Sequence, residues 1–205
     1  MATSEFSVAN TQGLIVSETD TAQLANGSIV AVVRQQLSAS NSDVKVQILS
    51  DGGLPISGFF TANTETTGAQ NEPSVAALAD GGFVVVWQSF DQDGNGFGVY
   101  GQRFTSSGGK VGPEFRVNTQ TSDDQIEADV TGLPDGGFVV TFTEEAAVDG
   151  SGKGVFAQRY APNGVPLGPN VQVNSTNFGD QEDPSIATLP DGGWVIGWSG
   201  TFLPN

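Results

Sequence analysis

The chain has 205 residues and carries 7 Lys and Arg against 23 Asp and Glu, a formal charge of −16 at pH 7. That charge repels nucleic-acid phosphate and anionic lipid, and no stretch approaches the roughly 18 apolar residues of a spanning helix, so neither nucleic acid nor membrane insertion is expected. With no Cys and no His, the Ser-His-Asp and Cys-His arrangements are impossible, zinc loses its preferred ligands and disulfides play no part.

In chain order, Glu5 to Asn10 (EFSVAN) matches Glu114 to Asn118 (EFRVN), so the chain opens on what is elsewhere the last strand of a repeat. The segment MATSEFSVAN lacks the basic region and apolar core of a secretory signal, and the export signal is expected outside this chain. Leu14-Ile15-Val16 has no counterpart and reads as an extra strand or a plug. From Asp20 the text settles into short β-branched and aromatic runs separated by glycine turns. Strands are predicted at Asp20 to Ala25, Ser28 to Arg34, Asp43 to Ser50 and Gly58 to Thr64. The second set is Pro73 to Leu78, Gly82 to Ser89, Phe97 to Phe104 and Glu114 to Asn118. The third is Glu127 to Leu133, Gly137 to Thr143, Gly154 to Tyr160 and Asn170 to Asn174. Pro184 to Leu189 and Gly193 to Ser199 begin a fourth.

The organising text is Asp80-Gly81-Gly82 followed by Phe83-Val84-Val85-Val86-Trp87. Glycine accepts the positive φ of a tight hairpin, and the run that follows is apolar on both faces, so both sides should be buried. It recurs at Asp135-Gly136-Gly137 and Asp191-Gly192-Gly193, and more weakly at Asn26-Gly27-Ser28. Gly27, Gly81, Gly136 and Gly192 are 54, 55 and 56 residues apart. Gln47, Gln102 and Gln158, and Asn63, Asn118 and Asn174, keep step. Four short strands per repeat with no helical periodicity describe an all-β propeller with blades of about 55 residues. The expected form is a single domain over 1–205, with repeats at about 20–72, 73–127 and 128–183. A partial repeat, 184–205, is joined by 1–19, the N-terminal strand completing the last of four blades. The third strand of that blade is missing from the text. The blade is irregular, the chain continues elsewhere, or another molecule donates the strand.

GGFVVVW, DQDGNGFGVYGQRF, GPEFRVNTQTSDDQ and PSVAAL resemble the tandem repeat of very large secreted bacterial proteins of the RTX type. That resemblance covers nearly the whole chain and implies an extracellular or cell-surface module of a calcium-dependent adhesin. The glycine-rich RTX nonapeptide GGxGxD is absent, so the calcium β-roll is not implied.

Asp91, Asp93 and Asn95 place oxygens at alternate positions ahead of a glycine, as in the first half of a calcium loop; a solvated hairpin tip is the other reading. The next repeat has Ala147-Val148-Asp149-Gly150-Ser151-Gly152 there, with the first carboxylate replaced. Asp123 with Asp124, and Asp180 with Glu182 and Asp183, enter inner strands near the channel mouth, where they hold a cation or sugar hydroxyls, or serve as caps. Arg103 and Arg159 match each other and pair with acidic loops or with a carboxylate ligand. Trp87, Phe142 and Trp198 also match and read as core. Trp198 becomes an exposed sugar platform where its blade is incomplete. The expected function is a non-catalytic extracellular binding or adhesion module, binding a glycan or cell-surface component with Ca²⁺. The alternative is a structural tile that self-associates through its incomplete blade.

Overall fold

The computed structural model describes residues 15–146, 152–175 and 178–200. Val16–Gln23 (β1), Ile29–Ser38 (β2), Asn41–Leu49 (β3) and Phe60–Thr61 (β4) pair in that order as one antiparallel sheet. Gln70–Ala77 (β5), Phe83–Phe90 (β6), Phe97–Phe104 (β7) and Lys110–Arg116 (β8) form the second. Gln125–Gly132 (β9), Phe138–Glu144 (β10), Gly154–Tyr160 (β11) and Val171–Gln172 (β12) form the third. Gln181–Thr188 (β13) and Trp194–Gly200 (β14) pair as a two-stranded sheet. The fold is all-β, built of four-stranded antiparallel sheets arranged like propeller blades.

The repeated Asp-Gly-Gly makes the turn between first and second strands. The Gly82 N–H donates to Asp80 Oδ1 at 2.9 Å, and the Gly81 N–H donates to the Leu78 carbonyl at 3.0 Å. The first glycine is required by its φ of +87°, which L side chains rarely adopt. The second is required by closeness, since a Cβ on Gly82 would fall 2.3 Å from the Phe104 carbonyl oxygen. The other markers are hydrogen bonds as well. Asn63, Asn118 and Asn174 each accept, at 2.9 Å, the N–H of Val44, Val99 and Val155 in the neighbouring third strand. Gln102 and Gln158 donate to the carbonyls of Gly112 and Gly168, both at 3.1 Å, and tie down the connection to the fourth strand. β4 and β12 are shorter than the predicted Gly58 to Thr64 and Asn170 to Asn174, whereas β8 starts earlier than the predicted Glu114.

Both faces of β6 and β10 are buried, as their text demands, whereas β14, with no sheet packed on its outer side among the described residues, is largely exposed. Phe83, Val85 and Trp87 pack on Val30, Val32, Val44 and Val46 of the first sheet. Val84 and Val86 pack on Phe138, Val140 and Phe142 of the third. Each such side chain contributes about 1.5–3 kcal/mol on leaving water. Inner strands β1, β5, β9 and β13 lie against one another in sequence, while no comparable packing joins β13 to β1 among the described residues. Ile15 and Val16 are not a separate element: Val16 begins β1, and the Ile15 carbonyl accepts the Gln36 N–H at 3.0 Å. Leu14, the closing strand expected at Glu5 to Asn10, and Thr201 to Asn205 lie outside the described residues.

Candidate functional site

Each inner strand carries a β-bulge near its start, and an acidic residue sits there with a left-handed backbone. These are Glu18 (φ 50°), Glu72 (48°), Glu127 (57°) and Asp183 (53°). The bulge turns the carboxylates along the line where the inner strands meet, and those of Glu18 and Glu127 reach the next blade. Glu18 accepts the Glu72 N–H at 2.7 Å, and Glu127 accepts the Asp183 N–H at 2.8 Å. Two residues further on, Asp20 accepts the Val75 N–H at 2.8 Å and Asp129 the Ile186 N–H at 2.9 Å. Burial, reinforced by Glu18 and Glu127, pushes the Glu72 carboxyl above its ordinary value. This axial row escaped the sequence reading except at Asp183, although its spacing of 54, 55 and 56 matches that of the turn glycines.

At the same end, the loops entering β9 and β13 carry Asp124 and Asp180. Asp124 Oδ1 accepts the Phe97 N–H at 2.8 Å, and Asp180 Oδ1 accepts the Lys153 N–H at 3.1 Å. Both tie the loop to the hairpin between second and third strands of the preceding blade. Gln70, Gln125 and Gln181, a periodic set that the sequence reading passed over, are buried at the starts of the same strands. Asn118 and Asn174 donate to the Oε1 atoms of Gln125 and Gln181 at 2.6 and 2.8 Å.

Asp93 turns inward. Its Oδ2 accepts from Asn118 at 3.2 Å and lies 3.8 Å from an Arg116 guanidinium nitrogen. Burial, with Asp93 second, pushes the Tyr100 hydroxyl up to about 12. Asp91 occupies the left-handed region (φ 60°) and Asn95 is exposed at the tip. Among the described residues, no three His, Cys, Asp or Glu side chains are grouped to hold a metal ion. Most of the corresponding loop in the third blade, 147–151, lies outside the described residues. Arg103 and Arg159 pair with Asp80 and Asp135 of the glycine turns at 3.1 and 2.7 Å. Trp87 and Phe142 are 0% and 1% exposed, whereas Trp198 is 38% exposed. The predicted residues therefore do not converge on one site.

A different arrangement does form a concave site. Between the first and second blades lies a cleft of about 630 Å³ lined by Ser38, Asn41, Glu65, Thr67, Phe90 and Gln92 among others. Its cause is local. The hairpin from β2 to β3 is cut to Ala39-Ser40, whereas the one from β6 to β7 spans Asp91 to Gly96. Where the other loops carry Asp124 and Asp180, this one has Ala69, so no carboxylate bridges the gap. Gly68, at φ +78°, lets the second hairpin approach, and the Phe90 N–H donates to the Ala69 carbonyl at 2.9 Å.

The Phe90 ring is 46% exposed and is held edge-on by Phe97, 5.2 Å between centroids. Gln92 Nε2 donates to Glu114 at 2.7 Å, which orients the amide and leaves Oε1 buried without a partner; Asn41 Oδ1 is likewise unpartnered. Hydrogen bonds from the Thr67 hydroxyl, then its N–H, hold the Glu65 carboxyl below its ordinary range. The cleft thus offers one apolar ring, hydroxyls and carboxylates, with no Lys or Arg in its lining.

Comparison with protein-family models gives no match, and neither does comparison with curated proteins. Solved structures do match. A Dyadobacter fermentans protein of unknown function superposes with a TM-score of 0.68 at 13% identity, over 94% of this chain and 64% of that one. The α-L-arabinofuranosidase Arb93A of Fusarium graminearum, in complex with an iminosugar inhibitor, gives 0.64 at 12%, over 93% and 58%. The α-L-arabinanase of Penicillium chrysogenum, complexed with arabinobiose, gives 0.58 at 16%, over 93% and 55%. The chain therefore spans between 55% and 64% of the length of these three. At such identity the likeness concerns the fold, which this chain shares with carbohydrate-active propeller enzymes.

Proposed function

We propose that the chain is a non-catalytic extracellular carbohydrate-binding module that takes a neutral sugar in the cleft at Phe90. The observation that carries this reading is the cleft's lining. An exposed ring suits the C–H face of a pyranose or furanose, and the exposed hydroxyls of Ser38, Ser40 and Thr67 beside it can exchange hydrogen bonds with sugar hydroxyls. Glu65 and Asp91 at the rim disfavour acidic sugars. A non-catalytic role is supported by the axial carboxylates, which are engaged by backbone N–H groups of neighbouring strands rather than left facing one another across a gap. The likeness to RTX-type repeats supports a bacterial cell-surface setting, with a glycan as the partner.

A glycan array spanning neutral and acidic sugars, run with and without calcium on the wild type and Phe90→Ala, tests the reading. Neutral-glycan signal lost in Phe90→Ala is expected. No signal in either protein, or signal confined to acidic glycans, overturns it. A second reading, a tile assembling through its last blade, is favoured by the exposed Trp194, Val195 and Trp198 of β14. Light scattering at increasing concentration tests it, and a strict monomer rejects it.

A further inference from the structure

The interface between the first and second blades is a template for the one between the second and third. At the first, Lys110 Nζ donates to the Thr64 hydroxyl at 3.1 Å, and Glu114 accepts the Thr64 N–H at 2.6 Å. At the second, the repeat puts Thr119 where Thr64 stands, Pro166 for Lys110, Asn170 for Glu114 and Tyr160 for Phe104. Asn170 keeps the tie, its Oδ1 accepting the Thr119 N–H at 2.7 Å and the Thr119 hydroxyl at 2.8 Å. Pro166 has no long side chain to send across. An open cavity of about 380 Å³ lies there, lined by Val117, Thr119, Gln158, Tyr160, Pro166 and Gly168 among others. Arg116, the charged residue in its wall, has Asp93 Oδ2 3.8 Å from a guanidinium nitrogen.

Tyr160 supplies an independent observation. It is 2% exposed, its ring stacked on Phe138 at 4.6 Å and 5.1 Å from Phe115. Its hydroxyl has no hydrogen-bond partner among the described residues, and burial alone raises it above its ordinary range. A buried phenol ordinarily finds a partner. Packing does not demand the hydroxyl, because Phe104 makes the same stack on Phe83, at 5.0 Å, without one. The exchange of Lys110 for Pro166 and of Glu114 for Asn170 also removes a cation and a carboxylate together, so the opening selects for hydrogen bonding rather than for charge.

We propose that this cavity is a second binding site, for a small neutral hydroxylated ligand of the size of one sugar unit. The Tyr160 hydroxyl donates to a ligand oxygen. The Thr119 hydroxyl, its own proton committed to Asn170, accepts from a ligand hydroxyl, and Val117 and Pro166 face the ligand's C–H groups. The site shares no residue with the cleft at Phe90 and does not depend on it.

The protein has two tyrosines, Tyr100 and Tyr160, so ¹³C at the ring carbon that bears the hydroxyl gives two resonances, which Tyr160→Phe assigns. Methyl glycosides of neutral pentoses and hexoses, titrated into Phe90→Ala protein to silence the cleft, should move the Tyr160 resonance with saturation and leave Tyr100 in place. Pro166→Lys, which restores the filling residue of the first interface, should abolish the movement while the Tyr100 resonance shows the fold intact. Tyr160→Phe should weaken binding about three- to tenfold in ligand-observed titrations, the loss of one neutral hydrogen bond. No saturable movement with any neutral glycoside, an equal movement in Pro166→Lys, or movement with acetate or butylamine in place of the glycosides overturns the proposal. Array signal unchanged in Phe90→Ala, with the Tyr160 resonance moving, rejects the cleft and supports this site.

Discussion

Glu144 ends β10 with 2% of its surface exposed, and it supplies the sharpest test of the blade packing. Burial raises its carboxyl from an ordinary value of 4.5 to about 7, against the pull of a 2.7 Å hydrogen bond from Gln125 Nε2, with Asp123 and Asp93 adding to the rise. A raised carboxyl means the folded chain binds more protons than the unfolded chain between those limits. This contribution to stability is complete below about pH 4.5 and is lost as pH rises through about 7. At about 1.4 kcal/mol for each tenfold gain in proton affinity, the ceiling is about 3 kcal/mol, which partial solvation reduces to about 1–3 kcal/mol. Glu144→Gln keeps the shape and cannot ionise. Urea midpoints for both proteins from pH 4.5 to 9 should coincide at the acid end. Above pH 7 the variant should be the more stable by that amount. Glu72 titrates in both proteins and cancels in the difference. A difference independent of pH would refute the burial argument.

Trp87→Ala should cost about 3–5 kcal/mol and Trp198→Ala less than about 1.5 kcal/mol in urea denaturation, since the repeat aligns the two but only the first is enclosed. Equal losses would contradict the blade alignment. Asp93→Ala should lose about 1 kcal/mol by removing a buried acceptor of Asn118, which keeps its bond to Gln125, and its calcium calorimetry should match the wild type. A calcium heat present in the wild type and absent in the variant would establish the loop as a metal site. Sodium chloride at 0.5 M should raise the thermal midpoint more at pH 8 than at pH 5. Burial and the neighbouring Glu18 and Glu127 raise the Glu72 carboxyl, so Glu72 carries more of its charge beside them at pH 8, and salt screens the resulting repulsion. A smaller rise at pH 8 would count against the axial row.

The strands were legible because repetition supplied the comparison that a single sequence otherwise lacks. Asp80-Gly81-Gly82 and its copies announce a turn, and alternate apolar residues on both faces of Phe83 to Trp87 announce burial by neighbours. The axial acids were harder to see, because a left-handed bulge residue such as Glu72 has no signature beyond its period, and acids at strand starts usually mean solvent. The alternation of Asp91, Asp93 and Asn95 does not reveal which partners each oxygen finds: Arg116 and Asn118, arriving from the fourth-strand region, meet Asp93 on its inner side. The cleft was invisible for a different reason. It comes from what the first blade omits, a long hairpin and the carboxylate that Ala69 replaces, and a repeat scan weights what is shared.

That asymmetry bears on what the acidity is for. Carboxylates are the molecule's inter-blade fasteners. Glu18, Asp20, Glu127 and Asp129 accept backbone N–H groups across consecutive inner strands, and Glu114 of the second blade accepts the Thr64 N–H of the first at 2.6 Å. Flat sheets stacked face to face share no backbone ladder, so apolar packing alone leaves them free to slide. A charged acceptor aimed at a neighbour's N–H adds about 1.5–3 kcal/mol and fixes the angle between blades. Part of the −16 charge is therefore a consequence of joining blades this way rather than a device for solubility. It follows that a blade pair without a carboxylate tie between entering loop and hairpin is the place where space opens at no cost to the axial joints. In this chain that place is the cleft beside Phe90.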